Sequence, residues 1–223
     1  MLRYIFLVNP LNRRIVLDLS KVDVYHDQYD SAERAFYASE RTPDDEVLAR
    51  SYELAQLSLL PKAPPFQLSY RHAAFLHQIS PEANRVEWCL ARLKDTGMLT
   101  RRLTDFEVDR IRRRIEQGGL WVDRWSQENK VVLLQALSNA IRSQLTADDR
   151  ESLRFYAETA ESTEWREDAI KESMVSLTKS GRLPVATPRF FRNLYLALLG
   201  TEKGPRAAPF LAVLDKDFVL ARI

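Results

Sequence analysis

Apolar residues recur every three or four positions along most of this chain. Val108, Ile111 and Ile115 fall on one face of a helix expected from about Asp105 to Gln117, and Leu134, Leu137 and Ile141 do so between Asn129 and Arg142. Leu153, Tyr156, Ala157 and Ala160 form a third stripe; Ile170, Met174 and Leu177 a fourth; Phe191, Leu194, Tyr195 and Leu198 a fifth. Helix starts are marked as clearly. Thr42-Pro43, Ser80-Pro81 and Thr187-Pro188 each set a hydroxyl cap before a proline, whose missing N–H costs nothing in the first turn. Thr104-Asp105-Phe106-Glu107 has the capping-box pattern and Thr146-Ala147-Asp148-Asp149 a shorter version of it. Only Arg14 to Leu19 reads as a strand. With six glycines, most of them where helices are expected to stop (Gly97, Gly118-Gly119, Gly181, Gly200), there is little room for hairpins. The pattern predicts an all-α or mainly α fold, a helical array or cage, with a small amino-terminal module that is α/β if Arg14 to Leu19 pairs.

Composition narrows the class. At 223 residues, 45% hydrophobic and 29% charged, the chain can bury one large or two small cores, and disorder is not expected. The single cysteine, Cys89, excludes an internal disulfide framework and a cysteine-based zinc site, and points to a cytoplasmic protein. No segment has the length of a membrane span, and the apolar start from Met1 is broken by Pro10 too early for a secretory signal. The stiff stretch Leu60-Pro61-Lys62-Ala63-Pro64-Pro65 places a boundary at residue 62, giving modules 1–62 and 63–223. The formal charge of +2 hides a gradient: four basic against nine acidic residues from Lys21 to Glu53, seven basic against three acidic from Arg182 to Arg222. A polyanion would therefore meet the carboxy-terminal half.

No independent active site emerges. His72 and His77 are five apart, which is not the metal-binding i, i+4 spacing, and no nucleophile is spaced with a base, so no catalytic or metal residue is assigned. Cations are the better candidates. Arg110, Arg113 and Arg114 lie opposite the apolar stripe of the Thr104 helix, where they could track an RNA backbone, although a solvated face paired with Asp109 and Glu116 is the default for exposed charge. Arg189 and Arg192 sit one turn apart, and Lys203 and Arg206 follow in Gly200-Thr201-Glu202-Lys203-Gly204-Pro205-Arg206, which lacks the ending of a nucleotide-binding loop. Trp121, Trp125, Phe190 and Tyr70, the last beside Arg71 and His72, are candidates to stack on splayed bases, although aromatics at helical spacing usually serve a core. Phe191 and Tyr195 are assigned to the core.

The stretch Phe190 to Arg206 resembles the carboxy-terminal end of the class I lysyl-tRNA synthetases. Leu2-Arg3-Tyr4-Ile5-Phe6-Leu7, Pro10, Ile15 to Leu19, Tyr29-Asp30 and Glu33-Arg34 resemble the part of that family following its catalytic domain, and Arg114-Ile115 and Trp121-Val122 fit the same likeness. The His-x-Gly-His-type and Lys-Met-Ser-Lys-Ser signatures of class I synthetases are missing; Lys171-Glu172-Ser173-Met174 is only a scrambled echo. The resemblance implies a tRNA partner, with residues 1–62 contacting the stem and 63–223 forming an anticodon-binding helical cage. It also implies a catalytic domain of the same enzyme as partner, with ATP and lysine bound there and no cofactor in this chain. Neither DNA nor membrane is an expected partner. The expected RNA-binding residues are Arg71, Arg110, Arg113, Arg114, Trp121, Arg189, Phe190, Arg192, Lys203 and Arg206. A stand-alone synthetase-like module binding another RNA or a protein is the alternative left open.

Overall fold

The structure, a computed structural model, describes residues 1–9, 14–134 and 136–223. Its helices, in chain order, are α1 (Leu2–Val8), α2 (Val22–Tyr37), α3 (Pro43–Ala55), α4 (Tyr70–Ile79), α5 (Arg85–Asp95) and α6 (Asp105–Trp125). They continue as α7 (Asn139–Gln144), α8 (Ala147–Glu161), α9 (Glu167–Lys179), α10 (Thr187–Leu199), α11 (Ala207–Ala212) and α12 (Lys216–Leu220). Among the described residues there is no strand, so the protein is a helical array.

Local chemistry starts three of these helices as expected. Thr42, Thr104 and Thr146 each form a full capping box, with Asp45, Glu107 and Asp149 returning the bond to the cap backbone at 3.0, 2.8 and 2.9 Å. Two expected starts are corrected. Ser80 does not cap: its hydroxyl accepts from Arg85 Nε, and α5 begins only at Arg85. Thr187 is already the first residue of α10, with Ala186 at the cap. The expected strand from Arg14 to Leu19 is also corrected: Asp18 takes the backbone N–H and hydroxyl of Ser20 at 3.0 and 2.7 Å, winding the chain into a 3-10 turn over Leu19–Lys21. Pro10 lies outside the described residues.

The chain forms two compact units, one of Met1–Gln78 with Leu103–Lys130, the other of Ile79–Arg102 with Val131–Ile223. In the first, α3 packs on α1 and α2. Tyr4, Ile5, Ala32, Tyr52 and Ala55 close one apolar cluster, while Tyr70, Ala74, Trp121 and Val122 close another. Gly118 and Gly119 do not end α6. A Cβ on Gly118 would stand 2.8 Å from the backbone of Ala74, and one on Gly119 would collide with the ring of His77, so the pair permits close contact with α4 and the helix runs on to Trp125.

In the second unit, α8 packs against α9, α10 and α12, and α9 against α11. Their inward stripes supply Leu153, Tyr156, Ile170, Leu194 and Phe210, each at most 2% exposed. The helix expected over residues 129–142 is shorter. Residues 131–134 are irregular, Leu134 N–H donating to Leu198 O at 2.9 Å, and Gln135 lies outside the described residues. Only α7 forms, capped by Ser138. Gly97, Gly181 and Gly200 take positive φ, and Gly200 caps α10 at φ 71°. Buried Cys89 has its thiol pushed up to about 11 by burial, an unreactive packing residue.

Candidate nucleic-acid interface

In the first unit, α6 supplies the arginines and its period decides their fates. Arg114, expected opposite the apolar stripe, instead lies beside Ile111 and Ile115 and is 6% exposed, because it is three residues from one and adjacent to the other. Its guanidinium holds both oxygens of Asp30 at 2.6 and 2.7 Å and donates to Leu68 O. One turn earlier, Arg110 grips both oxygens of buried Glu33 at 2.7 Å. Glu33 also accepts from Tyr52 Oη and Gln67 Nε2, at 2.6 and 2.7 Å. Burial opposes the Glu33 charge, but Arg110 and these donors hold its carboxyl below the ordinary range. Arg110 and Arg114 therefore cross-link α6 to α2 in this structure, with their guanidiniums committed to carboxylates.

The other first-unit candidates divide the same way. Trp121 is 3% exposed, donates from Nε1 to Leu19 O at 3.0 Å and meets Tyr70 edge-on, leaving no face open to a base. Tyr70 is buried and stacked on His26, with ring centroids 4.0 Å apart. By contrast, the Arg113 side chain is 70% exposed and, among the described residues, pairs only with Asp109 one turn back. Arg71, 66% exposed, reaches buried Asp23 at 2.5 Å. Trp125 is exposed at the end of α6.

The second unit presents its cations around α10 and the loop after it. Arg189 grips Asp149 at 2.7 and 2.8 Å. Asp149 in turn caps α8 and accepts from Asn193 at 2.6 Å, and Arg189 holds its carboxyl well below the usual range. Arg192 pairs with Glu202 at 2.6 Å. Lys203 and Arg206 are exposed and make no ion pair among the described residues. Their loop is braced: the Thr201 hydroxyl donates to Lys203 O at 2.7 Å, Tyr195 Oη donates to Pro205 O, and Gly204 sits so close to the Tyr195 ring that a Cβ would stand 2.5 Å from it. Phe190, expected to stack on a base, is instead fully buried against Tyr156 and Phe191.

Residues 127–223 match the family model for the anticodon binding domain, a stretch that carries Arg189, Arg192, Lys203 and Arg206. Over its whole length the chain is 34% identical to the lysine–tRNA ligase of Aeropyrum pernix and 30% identical to that of Pyrococcus furiosus, covering 41% and 42% of those proteins. Over 88% of its length it is 31% identical to the lysine–tRNA ligase of Methanosphaera stadtmanae, covering 38% of it. The chain belongs to the lysine–tRNA ligase family. It corresponds to the carboxy-terminal portion of such a ligase and spans about two fifths of the length of these relatives. Within that portion, the anticodon-domain match holds the exposed cations of the α10 edge, while Arg71, Arg110, Arg113 and Arg114 lie outside it.

One aromatic escaped the sequence reading. Phe106 is 56% exposed in the first turn of α6, where the capping-box pattern gave it no part of its own. The available signal was its position off the Ile111–Ile115 stripe.

Proposed function

We propose that this chain binds tRNA, recognising the anticodon as the carboxy-terminal part of a lysine–tRNA ligase. The observation that carries this reading is the anticodon-domain match over residues 127–223, on which exposed Lys203 and Arg206 stand on a braced loop. Such a loop holds cations in place before RNA arrives, so phosphate contacts set affinity and register while exposed base edges give selectivity. Residues 1–62 would face the stem and 63–223 the anticodon arm. The complete ligase would join lysine to its tRNA with ATP in the cytoplasm, both small substrates being held by its catalytic domain, the partner of this chain.

Fluorescence anisotropy with a lysine tRNA and an anticodon-swapped control tests the reading. Tighter binding of the lysine tRNA, weakened several-fold by Arg206→Ala, is expected. No binding to either tRNA at low salt overturns it.

A further inference from the structure

In the first unit, a cavity of about 380 Å³ opens between α2 and α6 beside the connector after α3. That volume suits a small molecule or one unit of a polymer, and is too small for a helix. Its interior is fixed by the Arg110–Glu33 pair, whose charges satisfy each other. What remains available has mixed chemistry. Phe106 is 56% exposed on one side, and Leu59 on the connector is 99% exposed. Tyr29 also lines the cavity, held through a hydrogen bond from Gln56 Nε2 at 3.0 Å.

Two polar groups can still be engaged. Nδ1 of His26, a cavity residue, is buried without a hydrogen-bond partner, although buried polar atoms are ordinarily satisfied. Burial, helped by the charge of Arg114, pushes this histidine down to about 3, so near neutral pH it offers a hydrogen bond and no charge. Arg113 supplies the charge. Its surface pair with Asp109 is of little worth, and Arg112, 3.8 Å from the same carboxylate, would still compensate Asp109 if Arg113 turned away. A flat apolar face, a neutral hydrogen-bonding group and one exposed, weakly held guanidinium match a heteroaromatic ring tethered to a phosphate.

We infer that the α2–α6 cavity is a binding site for a single nucleotide unit, with its base against Phe106 and Tyr29 and its phosphate on Arg113. The inference deepens the tRNA-binding reading and rests on it for one of two sources, an unstacked nucleotide of an RNA strand or a free nucleoside monophosphate.

The full 223-residue chain is titrated calorimetrically with CMP and AMP, and with inorganic phosphate and the unphosphorylated nucleosides as controls. Either monophosphate is expected to bind more tightly than both controls. Phe106→Ala should weaken it about tenfold, as loss of base–aromatic stacking does, and Ser58→Trp at the exposed rim should abolish it. Circular dichroism identical to the parent establishes that both variants fold; should Phe106→Ala fail to, Arg113→Ala, altered only at an exposed side chain, replaces it with the same weakening expected. Binding no tighter than phosphate or nucleoside, or unchanged in the variants, overturns the site. A chain that binds tRNA but neither monophosphate overturns this inference and leaves the proposed function standing, while monophosphate binding without tRNA binding does the reverse. With both bound, displacement of CMP by tRNA identifies the unit as part of an RNA strand, and simultaneous binding identifies a free nucleotide; either supports the site.

Discussion

Arginine serves stability at some positions of this chain and, in the proposed tRNA binding, contact at others, and burial separates the two. Arg114 and Asp30 are each nearly enclosed, so removing the guanidinium takes both hydrogen bonds from a buried carboxylate and leaves it only the longer contact with Arg110 at 3.5 Å. Arg114→Ala is therefore expected to lower unfolding free energy by about 3–5 kcal/mol, read from urea midpoints, whereas Arg114→Ala with Asp30→Ala loses less than the two single losses combined. Additive losses would contradict the pairing. Two histidines make a second residue-scale test. Burial pushes His26 down to about 3, aided by Arg114, and His72 down to about 4. Their folded pKa values lie below the unfolded value of 6.5, so the unfolded chain takes up protons first on acidification. The stability they contribute is whole above about pH 6.5 and is lost as pH falls toward 4 and 3, on the order of 2 kcal/mol for each histidine by pH 5. His26→Asn should flatten that part of the curve; an equally steep decline in the variant would contradict the assignment.

Elements follow local rules until a neighbour overrides them. The caps at Thr42, Thr104 and Thr146 were legible because every participating atom lies within four residues, although the box that Asp45 completes at Thr42 was not read from the sequence. The continuation of α6 was not, since Gly118-Gly119 ends a helix by propensity and is retained in one only because α4 passes so close. The irregular stretch at 131–134 has a similar origin: an apolar stripe at helical spacing hides the carbonyl of Leu198, which takes the N–H of Leu134 from outside its own segment. Gly118→Ala separates the two influences. Alanine adds about 1 kcal/mol of helix propensity, but its Cβ would stand 2.8 Å from the backbone of Ala74, which cannot rotate away. A net loss of about 1–3 kcal/mol and a lower Tm are expected. A raised Tm would mean that α4 and α6 can separate without cost.

For the whole molecule, a formal charge of +2 says little about an anionic partner; the number of cations free to meet phosphate says more. Sequence could nominate arginines from helical spacing, yet it could not tell Arg113 from Arg114, adjacent residues of which one is open to solvent and one is locked to Asp30, because the partner stands 84 positions away. The exposed Lys203 and Arg206 were legible, since a loop between two apolar segments leaves cations little else to face. The salt dependence of tRNA affinity tests that distinction. Each phosphate contact removed lowers the slope of log affinity against log salt by a little under about one unit. Lys203→Ala with Arg206→Ala should therefore flatten the slope by roughly one to two units. Replacing the half-buried Arg110 by Met should leave the slope of the folded fraction unchanged, because its guanidinium is committed to Glu33 in the free protein. If Arg110→Met flattens the slope while the loop variant does not, the RNA lies along α6, and the buried pair opens to receive it.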